Sequence, residues 1–161
     1  ISRASLLSAK LTVYTLVCLL QFVIMLLLGL FVLPRCGTPT LELGSHPLAL
    51  LVAALSSALA ASGFGLLVGS IARTHDQASV FSATSVVIGA ALGGLMVPSF
   101  LMPEAMRKIG QFLPLNWGLN AFLELFVRDG NLQSILSNVI ALMAFFAGTT
   151  TLAILISMRR E

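Results

Sequence analysis

Charge is what this sequence has least of. Only 9% of its 161 residues are Asp, Glu, Lys or Arg, while 58% are hydrophobic, and the mean hydropathy is +1.02. A water-soluble domain of this length needs far more polar cover, so the composition excludes one and leaves an integral membrane protein. Basic residues outnumber acidic ones by 9 to 6, but they stand singly or in pairs at the ends of apolar runs. No face or run of them tracks a phosphate backbone, which excludes nucleic acid and points to membrane anchoring.

Histidine and cysteine are equally sparse, with two of each. His46 and His75 flank one apolar run and so fall on opposite sides of the membrane. Neither has Cys or carboxylate neighbours at ligand spacing, and no metal is expected. His75-Asp76 lacks the strained nucleophile turn and oxyanion glycines that a serine hydrolase needs. Cys18 and Cys36 lie about 27 Å apart at helical rise, too far to pair with each other. No G-x-x-x-x-G-K-[ST] loop occurs, so nucleotide hydrolysis is not expected of this chain, nor is any cofactor. The apolar runs carry no ionisable side chain in their cores, which disfavours a proton relay, an ion-coupled transporter or a voltage sensor.

What is present are four long apolar runs, at about 11–33, 47–72, 78–101 and 134–158. The first is about 35 Å long as a helix, too long for the apolar region of a signal peptide, and no A-x-A site follows it. Pro34 is expected to end it, before a loop carrying Gly37, Pro39 and Gly44. Pro47 suits the first turn of the second run. Arg73, Thr74, His75, Asp76 and Gln77 then make a polar turn so short that the second and third runs must form an antiparallel hairpin. The expected fold is all-α, a polytopic membrane bundle of four spans in one transmembrane domain over 1–161. Both termini then share a side with Arg3, Lys10, Arg73, Arg159 and Arg160, against Arg35, Arg107, Lys108 and Arg128 on the other. Five cations against four barely favour the termini inside.

Small residues recur at four-residue spacing, at Ala61, Gly65 and Gly69 in the second run and at Gly89 and Gly93 in the third. Such seams let two helix backbones approach closely, and plain helix packing is the ordinary reading. Between the third and fourth runs, Pro103 and Pro114 divide 103–127 into two short amphipathic helices, expected as a re-entrant or interfacial hairpin. Met102, Met106, Ile109 and Leu113 form the apolar face of one, and Leu119, Phe122, Leu123 and Phe126 that of the other. Asn116, Asn120, Glu124 and Arg128 make a polar stripe on the second. It is either the wet side of an interfacial helix or the lining of an exit path. Glu124 and Arg128 are also ordered for a helical ion pair. Trp117 is the kind of side chain that settles at a membrane boundary. In the last run, the hydroxyls of Thr149, Thr150 and Thr151 are expected to bond back to the preceding turn.

The order of Gly65-Leu-Leu-Val-Gly-Ser-Ile-Ala-Arg-Thr-His-Asp-Gln-Ala78, Gly93-Gly-Leu-Met-Val-Pro98, Met102-Pro-Glu-Ala-Met and Leu113-Pro-Leu-Asn-Trp-Gly-Leu-Asn-Ala-Phe122, before a last run ending in Arg-Arg, resembles the C-terminal part of an ABC-2 type exporter permease. Each piece is weak alone, and their order is the signal. The resemblance covers most of the chain from about Arg3.

The resemblance implies a six-helix permease, of which this chain carries the last four helices. It implies a second permease copy, homo- or heterodimeric, in the bilayer of a bacterial inner membrane, with the termini in the cytosol. A partner ABC-type ATPase would hold the ATP and Mg. The family's coupling segment would match the region from Arg3 to Lys10, with the turn from Arg73 to Gln77 as a second contact, although simple positive-inside anchoring accounts for the same cations. The family's outer re-entrant helices would match Pro103 to Phe126. A non-transporting membrane scaffold is the alternative, and a membrane-embedded enzyme would need a polar cluster that the sequence does not show.

Overall fold

A computed structural model describes residues 3–37 and 46–159. Six α-helices run in the order α1 (Arg3–Leu27), α2 (Pro47–Ile71), α3 (His75–Leu92), α4 (Glu104–Gly110), α5 (Pro114–Val127) and α6 (Leu132–Arg159). Strands are absent among the described residues. Among the described residues three stretches are long and apolar enough to cross a bilayer, namely Leu7–Cys36, Pro47–Ile71 and Leu132–Met158. The all-helical membrane fold expected from composition is the one observed.

Proline and glycine set the helix ends. Pro47 opens α2, where its missing N–H costs nothing. Pro34 does not stop the first span. The helix instead widens to a π turn at Leu28–Val32, with Leu33 N–H donating to Leu28 O, and then tightens to a 3-10 turn at Leu33–Cys36. A proline ring collides with the carbonyl four residues earlier, and this change of pitch relieves the clash. Gly37, at φ 82°, closes the segment by donating to Pro34 O over 3.2 Å.

The third span departs further from expectation. α3 closes at Leu92 rather than near residue 101. The reason is Gly93-Gly94: Gly93 caps the helix, Gly94 adopts φ 93°, and Leu95 N–H reaches back to Ala90 O over 3.1 Å. That six-to-one bond behind a left-handed glycine is a Schellman-type stop. Pro98, expected to loosen the last turn, lies beyond the helix.

α2 is the axis of the bundle, with α1, α3, α5 and α6 all packed on it and α6 along the greatest length. A buried cluster joins Ala49, Leu50 and Ala53 of α2 to Ala121 and Leu125 of α5 and Ile135 of α6, flanked by Phe22 and Leu26 of α1. Alanines there let the axes come close, which matters because lipid tails give apolar helices no solvent-driven reason to associate. Between α1 and α2, Thr15 Oγ1 donates to Ser62 Oγ over 3.2 Å inside the seam. Thr149 and Thr151 return their hydroxyls to α6, as expected. Thr150 does not, and its oxygen is buried without a partner.

Candidate functional site

The site is the break where α3 stops and α5 takes over. Leu115 and Asn116, in the first turn of α5, lie against Gly89 and Gly93 of α3. Asn116 Nδ2 donates to Gly93 O over 3.0 Å, satisfying a carbonyl that the ended helix leaves open, and Asn120 Nδ2 donates to Asn116 Oδ1 over 2.8 Å. On the other side α4 lies so close that a Cβ on Gly110 would stand 2.1 Å from Leu92 O. Trp117 Nε1 closes the loop with a 2.8 Å bond to Gln111 O. The carbonyls of Gly93 and Gln111, left open where the helices stop, are thus paired within the protein.

Two aromatic contacts fix α5 in the bundle. Phe22 of α1 stacks on Phe122 at 5.5 Å between centroids, and Trp117 meets Phe145 of α6 edge-on at 6.5 Å. α5 therefore has two of its sides covered by neighbouring helices. The expected apolar face holds at Phe122 and Phe126, which pack against the core, and Leu119 is half-buried. Ala121 and Leu125 are the buried positions, while Leu123 is exposed. Neighbours on two sides extend the covered arc to Ala121 and Leu125. In α4 the expected apolar residues Met106 and Ile109 face outward, and the contact is made by Gly110.

α3 has few neighbours below this break. Only Gly89 is buried in it, and Ser79, Val80, Phe81, Thr84, Ser85, Val86, Val87 and Ile88 are exposed. At 100° per residue Ala78, Ser79, Ser82, Ser85 and Gly89 share one side, and Val80, Thr84, Val87 and Ile88 the other. No hydroxyl bond ties Ser79, Ser82, Thr84 or Ser85 to another described residue. With His75, Asp76 and Gln77 in its first turn, α3 is not among the stretches apolar enough to cross alone.

The remaining candidates are spread along the chain. Arg3 opens α1, and Lys10 is exposed on it. The turn between α2 and α3 is stiffly made. Thr74 accepts from Gln77 N–H at 3.2 Å, Arg73 N–H donates to Gln77 Oε1 at 2.8 Å, and Asp76 sits in the first turn of α3, where a negative charge suits the helix dipole. Arg73, His75 and Asp76 remain exposed. Pro103 precedes α4, Pro114 begins α5, and Arg128 pairs with Glu124. Gly65 and Gly69 meet nothing within 4 Å, whereas Gly63, which sequence reasoning passed over, faces Thr149, Phe146 and Thr150. A Gly-Gly pair ahead of a proline fits a helix stop as well as a packing seam; nothing local marked Gly63 or Gly110.

A helical bundle with three stretches, among the described residues, long and apolar enough to cross a bilayer defines a polytopic membrane protein. Residues 1–155 match the family described as ABC-2 family transporter protein, and the chain belongs to that family. No curated protein and no solved structure matches it significantly. The family is a membrane transport component rather than a catalytic one, and it implies an ABC ATPase partner in general.

Proposed function

We propose that this chain is the permease subunit of an ATP-binding-cassette exporter and forms the substrate path with a second permease copy. The observation that carries this reading is α3. Its first turn carries His75, Asp76 and Gln77, its middle turns are exposed, and its tip is held by α5. A helix with Ser79, Ser82 and Ser85 on one side and Val80, Val87 and Ile88 on the other suits the wall of a path for lipid-linked or amphipathic cargo. The ATPase subunits bind ATP and Mg, and their closure pushes on the exposed Arg73–Gln77 turn and on the segment from Arg3 to Lys10. The spans then rock, and the path opens at the far end of α3, beside α4 and α5. In this arrangement both ends of the segment lie in the cytoplasm of a bacterial inner membrane.

Co-purification of the full-length protein with its ATPase tests the reading. Arg73→Glu and Lys10→Glu are expected to uncouple or release the ATPase while the permease stays folded. A stable preparation without any associated ATPase, or one indifferent to both substitutions, would favour the scaffold.

A further inference from the structure

We propose that the connection from α3 to α5, residues 95–112, is a phospholipid-binding patch that prefers anionic headgroups. Phe100 and Phe112 are 79% and 78% exposed, more than any other large apolar side chain among the described residues. Met96, Leu101, Met106 and Ile109 are exposed around them. α4 sorts this surface by depth. Its Ala105, Met106 and Ile109 lie on one side at helical spacing, and its Glu104, Arg107 and Lys108 on the other.

A seven-residue helix has no stability of its own. This one is held because Gly110 seats it on Leu92 O at the end of α3. Fixed there, it meets hydrocarbon with its methionine and isoleucine and headgroups with its cations. Lys108 pairs with Glu104 at 2.8 Å, whereas Arg107 has no carboxylate partner among the described residues. A planar guanidinium with free donors at headgroup level takes a phosphate by two parallel hydrogen bonds. Apolar surface below and net positive charge above fit an anionic phospholipid better than a protein surface, which would have to match both layers. The inference requires only that the chain be embedded, not that it export anything.

The full-length protein is reconstituted in vesicles, and the emission of Trp117, isolated by subtracting a Trp117→Phe sample, reports on the patch through its bond to Gln111. Brominated phosphatidylglycerol is compared with brominated phosphatidylcholine as quencher. The anionic lipid is expected to quench at a several-fold lower mole fraction, about fivefold per cation engaged. Arg107→Gln should reduce that preference by about fivefold. Arg107→Lys should keep part of it, and Arg35→Gln, at a cation outside the connection, should leave it unchanged. Equal quenching by the two lipids in the wild type overturns the proposal. So does a preference that survives Arg107→Gln, or the absence of quenching by either lipid, which would mean that protein covers the patch.

Discussion

Gly63 and Gly65 sit two residues apart on α2, and the structure gives them opposite fates. A Cβ at Gly63 would stand 2.7 Å from Thr149 Oγ1 and 2.9 Å from Phe146 Cδ2, distances at which something must move. A Cβ at Gly65 would meet nothing within 4 Å. Both substitutions to alanine gain the same helix propensity, so their difference isolates the packing term. Overpacking a close seam costs about 1–3 kcal/mol, and Gly63→Ala should fall below Gly65→Ala by that amount. The assay is reversible unfolding of monomeric protein in detergent, followed by helical circular dichroism. Thr149→Ala supplies a cycle: its hydroxyl bonds only within α6, at Phe145 O and Phe146 O, so the single change should be mild and should recover part of the Gly63→Ala loss. Equal stabilities for the two glycine variants would refute the α2–α6 seam as described here.

Other outcomes follow from single positions. Gly94→Ala forces an L side chain to φ 93° and should cost about 1–2 kcal/mol, with Gly94→Asn less harmful. Amide exchange at Leu95 and Met96 reads it, and an alanine variant as protected as the wild type would show that α3 does not end on that turn. Ser57 Oγ and Thr150 Oγ1 are buried without partners, a burden of about 1–3 kcal/mol each, so Ser57→Ala and Thr150→Val should leave stability unchanged or raised in the same unfolding assay. A clear loss in either would reveal a hydrogen bond that the described residues do not contain.

The misread segments share a cause. The helical character of 47–72 and 134–158 was legible because each apolar run is long and bounded by turn or polar residues. The ion pair of Glu124 with Arg128 and the polar turn at Arg73–Gln77 were legible because four-residue spacing and loop composition are local properties. The end of α3 was misread because Gly93 and Gly94 fit a packing motif as well as a stop, and composition does not separate the two. The covered side of α5 was legible at Phe122 and Phe126 but not at Ala121 and Leu125, because its pattern shows an apolar stripe without saying how many neighbours stand beside it.

Composition and periodicity by themselves determined that this chain is helical and membrane-embedded, and roughly where its long helices run. Backbone hydrogen bonds must be satisfied within a helix in lipid, and that demand is written locally. Only the tertiary structure decided that α3 breaks and hands over to α5, that Asn116 closes the open carbonyl of Gly93, and that Gly63 rather than Gly65 meets α6. Those outcomes depend on which backbones approach each other. In a bundle whose helices are apolar on most sides, the sequence carries many equivalent faces, and close packing selects among them.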